Sequence, residues 1–225
     1  MSEDDQTLSY QVNFLDGDKE DSKWVKRAGR ARVQYENGDT YEGDYNSKGL
    51  RHGKGTYIWN TAAMESFSDA ESAPNMKYQG GYQFGLKHGI GTFWYPNGAI
   101  YRGQFMWDKR HGVGSYTYPN GDIYSGKWKA GARHGKGAYV VKRDQSQLVG
   151  TWESGNISSG KWIMEDGTVF EGSFDEKSRT SGKGRFVFEN SNVLSGNYAI
   201  NGDAEEEEDN ASGASYEWTS ESVDN

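Results

Sequence analysis

An aromatic-x-Gly-x-aromatic pentapeptide recurs along this chain at near-constant spacing, and such a period restricts the fold more than any single residue does. Clear copies are Tyr41-Glu-Gly43-Asp-Tyr45, Tyr78-Gln-Gly80-Gly-Tyr82, Tyr101-Arg-Gly103-Gln-Phe105, Tyr124-Ser-Gly126-Lys-Trp128 and Phe170-Glu-Gly172-Ser-Phe174. Looser copies are centred on Gly150 and Gly196. Successive central glycines lie 37, 23, 23, 24, 22 and 24 residues apart. The first interval is one period plus an insertion, placed in a Ser/Ala/Glu-rich loop over residues 60–77.

Each unit carries a second signature after its glycine: Arg51-His52-Gly53-Lys54-Gly55, Lys87-His88-Gly89-Ile90-Gly91, Arg110-His111-Gly112-Val113-Gly114 and Arg133-His134-Gly135-Lys136-Gly137. A short aromatic run follows (Thr56–Trp59, Thr92–Tyr95, Ser115–Tyr118), and then a turn signal such as Pro96-Asn97-Gly98 or Asp166-Gly167. Strand-length runs rich in β-branched and aromatic residues, divided by Asn-Gly turns, spell a strand–loop–strand unit with the His-Gly pair in its loop. Period-2 alternation puts Tyr101, Gly103 and Phe105 on one face, with rings lying across the bare glycine, while Arg102 and Gln104 point the other way. Six units, a half-repeat strand at Ala31–Tyr35 and a terminal strand give about 14 strands at ~4.8 Å spacing.

Composition agrees once the aromatics are counted. The chain holds 9 Phe, 8 Trp and 15 Tyr, and each such side chain buries ~150–250 Å². Those rings supply the core that few aliphatic residues could. The net charge of −8 is unevenly placed. Residues 1–23 and 201–225 are strongly acidic and are expected to be tails, the second one disordered, flanking a mildly basic array over 24–200.

The pattern resembles that of MORN (membrane occupation and recognition nexus) repeats over roughly residues 28–198. The resemblance implies an all-β, elongated, single-layer, twisted antiparallel sheet of stacked hairpins. Within the family, Gly29-Arg30-Ala31-Arg32 leading to Tyr41-Glu42-Gly43, the degenerate Val149-Gly150-Thr151-Trp152 unit and the acidic C-terminus are similar to radial spoke head members. That similarity implies a non-enzymatic scaffold subunit of ciliary and flagellar axonemes, in the cytoplasm and cytoskeleton, acting in cell motility. The partners implied are other spoke head subunits, central apparatus projections and a second copy, with neither nucleic acid nor cofactor.

Several chemical readings compete with this scaffold. With no cysteine in the chain, thiol catalysis and thiolate metal sites are excluded. His52, His88, His111 and His134 occupy one repeat position, so neighbouring copies stand ~10 Å apart, too far to share a metal at ~2.0–2.1 Å. Rings packed at turns, each with a backbone hydrogen bond, are expected instead. The HGxG segments precede strands rather than helices, so they are turn glycines and not phosphate loops. Lys87, Arg110 and Arg133 make a one-per-repeat ladder for a protein partner or, in the alternative reading, for anionic lipid.

Overall fold

The computed structural model describes residues 10–15, 27–60, 76–201 and 215–224, divided between two compact units, Met1–Pro119 and Asn120–Asn225. All described regular structure is β-strand. The first unit holds β1 (Tyr10–Phe14), β2 (Gly29–Tyr35), β3 (Thr40–Tyr45), β4 (Arg51–Ile58), β5 (Lys77–Gln83), β6 (Leu86–Trp94), β7 (Ile100–Met106) and β8 (Lys109–Thr117). The second holds β9 (Ile123–Lys129), β10 (Ala132–Val140), β11 (Gln147–Glu153), β12 (Asn156–Ile163), β13 (Val169–Phe174), β14 (Thr180–Val187), β15 (Val193–Asn201) and β16 (Ser215–Asp224). Within each unit, strands adjacent in the chain are adjacent and antiparallel in the sheet, as stacked hairpins require.

The register aligns one glycine per strand. In the first unit Gly43, Gly55, Gly80, Gly91, Gly103 and Gly114 face one another in succession from β3 to β8. Gly126, Gly137, Gly150, Gly160, Gly172, Gly184 and Gly196 do the same from β9 to β15. Across this bare row lie the first aromatics of the repeats: Tyr41, Tyr78, Tyr101, Tyr124 and Phe170 are all fully buried. A Cβ at Gly103 or Gly114 would fall well inside contact distance of the Tyr101 phenol. Each tyrosine donates its hydroxyl to the carbonyl three residues on, for example Tyr101 to Gln104 at 2.9 Å and Tyr124 to Lys127 at 3.0 Å. The second aromatic stands edge-on to the first, as in Tyr101–Phe105 at 5.1 Å and Tyr124–Trp128 at 5.2 Å, the geometry that ring quadrupoles favour.

Two expectations need correcting. The His-Gly pair does not sit in the interstrand loop: β4, β6, β8 and β10 begin before it. The turn comes earlier, at Phe84-Gly85, Trp107-Asp108, Ala130-Gly131 and Ser154-Gly155, every one at positive φ, the two-residue hairpin turn whose twist matches the strands. The pair instead forms a bulge, where the register shifts and Gly89, Gly112 and Gly135 take positive φ.

The terminal segments are not wholly tails either. β1 lies inside residues 1–23, with Val12 and Phe14 buried against β2. β16 lies inside 201–225 and sets Trp218 opposite Tyr198. Net charge concealed the alternation Tyr10-x-Val12-x-Phe14 and the single Trp218, which give each strand an apolar face. The run Glu205–Asp209 and the interior of the 60–77 insertion (residues 61–75) lie outside the described residues.

Candidate functional site: a ring-lined sheet face

The basic residue that opens each second signature shares the face of the buried tyrosines. Arg51 stands over Tyr57 at 5.0 Å and Tyr82 at 5.4 Å, and donates to the Gly85 carbonyl at 3.1 Å. Lys87 lies over Trp59 at 5.8 Å and Phe93 at 5.9 Å. Arg110 lies over Tyr116 at 5.2 Å. In the second unit Arg133 lies over Trp152 at 4.5 Å and donates Nε–H to the Gly155 carbonyl at 2.8 Å. The expected ladder of Lys87, Arg110 and Arg133, with Arg51 in the same position, is thus built from cations resting on rings, their stems packed along apolar surface.

Lys87 carries a further link. Its ammonium pairs with Asp108 at 2.8 Å, and its backbone N–H donates to the same carboxylate at 2.9 Å. Burial works against ionising Asp108, but the hydrogen bonds and charge of Lys87, with Arg51 beyond, hold it below the usual carboxylate range. Asp108 takes the second turn position that is glycine in the other three two-residue turns named above.

Beyond the cations the first unit exposes a continuous strip of rings. Tyr35 stacks on Tyr57 at 5.8 Å, Tyr57 meets Trp59 at 4.4 Å, and Trp59 meets Phe93 at 5.4 Å. Phe93 meets Tyr95 at 4.5 Å, Tyr95 meets Tyr116 at 5.6 Å, and Tyr116 meets Tyr118 at 4.6 Å. Phe93 is buried; the other rings are half-buried. Burial raises the phenols of Tyr57, Tyr95 and Tyr116 above their ordinary value, so they are neutral at physiological pH. At the places of Trp59, Tyr95 and Tyr118 the second unit has Val141, Met164 and Phe188, so only one of its three outer positions carries a ring.

Two buried carboxylates pin this face to its turns. Asp39 accepts from the Tyr57 hydroxyl at 2.7 Å and from Asn60 N–H at 2.7 Å. Asp122 repeats the arrangement with Tyr139 at 2.6 Å and Lys142 N–H at 2.8 Å. Sequence reading passed over both. Their signal is the tripeptide Asn-Gly-Asp at residues 37–39 and 120–122, each with a tyrosine 17 or 18 residues on.

The opposite face carries paired charges beside exposed Ile90 and Val113. Glu42 bonds Arg32 and Arg30, and Glu171 bonds Lys161 and Arg185; these bonds hold both carboxylates below their ordinary range. A shallow groove of about 740 Å³ runs over β2–β6 on the first unit, lined by Lys54, Gln79, Gly81, His88 and Ile90 among others. Of the four histidines, His88 packs on Trp107 with ring centroids 4.7 Å apart, and His52 on Phe84 at 6.2 Å. The ring thus meets the turn of the next hairpin and not its own. The expected hydrogen bond is missing at His88, whose buried Nδ1 has no partner among the described residues.

Residues 41–61, 78–100, 101–123 and 124–140 match the family model of the MORN repeat. No curated protein sequence matches the chain. Among solved structures, the TCP10 domain of Danio rerio CPAP in complex with a peptide of Danio rerio STIL is similar at 10% identity, over 84% of each chain, with a TM-score of 0.44.

Proposed function

From a chain four segments of which match the MORN-repeat model, we propose a non-enzymatic scaffold that holds partner proteins on its ring-lined face. The observation that carries the reading is the strip Tyr35–Tyr57–Trp59–Phe93–Tyr95–Tyr116–Tyr118. Half-buried Tyr and Trp rings supply contact area at low entropic cost and are the commonest anchors of protein interfaces. The finer proposal is a subunit like radial spoke head protein 1. It would be seated in the axoneme among other head subunits and a second copy, facing the central apparatus and taking part in the control of ciliary bending. The opening Gly29–Gly43 segment and the degenerate unit at Gly150 support it.

The lipid-tether alternative needs cations free to reach a headgroup plane. Lys87 is paired with Asp108, and Arg51 and Arg133 are bonded to carbonyls, so the structure lends that alternative no support. Fractionating motile cilia tests the proposal: the protein should stay with the detergent-extracted axoneme and pull down other head subunits. Release into the membrane fraction would overturn it.

A further inference from the structure

The strip has a repeat distance, and that distance selects a class of ligand. Trp59, Tyr95 and Tyr118 follow β4, β6 and β8 at corresponding places in their repeats. Those strands are two apart in the sheet, so the outer rings recur about every 9.6 Å. Phe93 touches both Trp59 and Tyr95, and Tyr116 touches both Tyr95 and Tyr118. Each bridging ring thus stands between two outer rings.

A polyproline II helix presents the same edge every three residues, or about 9.3 Å at ~3.1 Å per residue. Over two repeats it drifts from the rings by only about 0.6 Å. An α-helix offers a face every two turns, about 10.8 Å, and is out of step by about 2.4 Å over the same span. An extended strand matches worse, since its same-face residues recur at about 6.7 Å.

Resting on the scaffold reading above, we propose that the strip from Trp59 to Tyr118 docks a proline-rich segment of a partner protein in the polyproline II conformation, with prolines at i, i+3 and i+6. Aromatic-lined grooves recognise such segments in other folds because the ligand is already ordered before it binds. Its carbonyls are free of internal hydrogen bonds. Arg51 and Arg110 beside the rings favour a segment lacking Lys and Arg.

The test is fluorescence anisotropy of the full chain with labelled decaproline and with a Gly-Ser decapeptide. A further pair of peptides places prolines every third or every fourth residue at equal composition. Decaproline and the every-third peptide should bind saturably, and the other two should not. Tyr95→Ala should weaken binding roughly tenfold or more, as loss of one aromatic anchor does. Tyr118→Leu, which keeps apolar bulk without a ring, should do likewise if Tyr95→Ala fails to fold, and Phe188→Ala in the second unit should bind as the native chain does. Failure to bind decaproline overturns this proposal. If head subunits are still recovered by the native chain and lost with the strip variants, the scaffold reading stands without it. Binding unmoved by both Tyr95→Ala and Tyr118→Leu, or equal binding of both spacings, also overturns it.

Discussion

At position 103 the backbone of β8 and the Tyr101 phenol already occupy the space a side chain would need. Gly103→Val should therefore destabilise the first unit by about 2–3 kcal/mol, because a facing backbone relaxes less readily than a side chain. An unchanged thermal melt would mean that the glycine row does not bear the rings. The hydroxyl is the lesser part of the same contact. Tyr101→Phe removes the bond to the Gln104 carbonyl and should cost about 1 kcal/mol, since Phe170 fills the equivalent place with no hydroxyl at all. Burial also raises the ionisation of Tyr41, Tyr78 and Tyr101 far above the ordinary tyrosine value. A raised folded value gives stability that is complete below the unfolded pKa of ~10 and declines as pH climbs above it. In an absorbance titration these phenols should ionise only together with loss of strand signal; early reversible ionisation of every tyrosine would contradict their burial.

Among the elements, the turn-to-strand links decide how acid acts on the sheet. Burial opposes the charge on Asp122, yet hydrogen bonds from Tyr139, Lys142 N–H and Asn120 outweigh it and hold the carboxyl below its ordinary value. A depressed folded value contributes stability that is complete above the unfolded pKa of ~3.9 and disappears as pH falls through the folded value. The native chain should lose melting temperature on going from pH 5 toward pH 3 more steeply than Asp122→Asn does; parallel profiles would remove Asp122 from that role. At the sheet's last strand, Trp218 packs on Tyr198 at 4.9 Å and Phe186 at 5.1 Å. Trp218→Ala should cost about 3 kcal/mol and leave those two rings open to water. A neutral outcome in denaturant titration would mean that β16 adds nothing to the core.

For the molecule as a whole, the question is whether charge or rings carry recognition. Exposed basic ladders bind anionic vesicles with a strength that falls as salt shortens the ~10 Å screening length at 0.1 M. Ring-anchored contacts depend far less on salt. The full chain should not float with anionic vesicles at physiological ionic strength, and if the proposed contact with head subunits is made, it should survive a rise to about 0.5 M salt, where the screening length is well below 10 Å. Strong flotation that vanishes when Lys87, Arg110 and Arg133 are all reversed to Glu would favour the tether.

The repeat glycines, the buried first aromatics and the antiparallel hairpin order were legible in the residues, because period-2 alternation and Gly-bearing turns are local properties that any chain must obey. Bulge and turn look alike because both use glycine at positive φ, and only strand pairing separates Gly89 in its bulge from the turn at Phe84-Gly85. The terminal strands were hidden because whether an acidic segment pairs depends on what its neighbour exposes: Val33 for β1, Tyr198 for β16. The ladder cations were identified by position, but a sequence does not say whether a guanidinium reaches solvent or folds back over a ring. Local pattern therefore determined which residues face inward. The register between strands distant in sequence decided what those residues touch, and with it the ring strip that Tyr35, Trp59, Tyr95 and Tyr118 form only once β2, β4, β6 and β8 lie in one sheet.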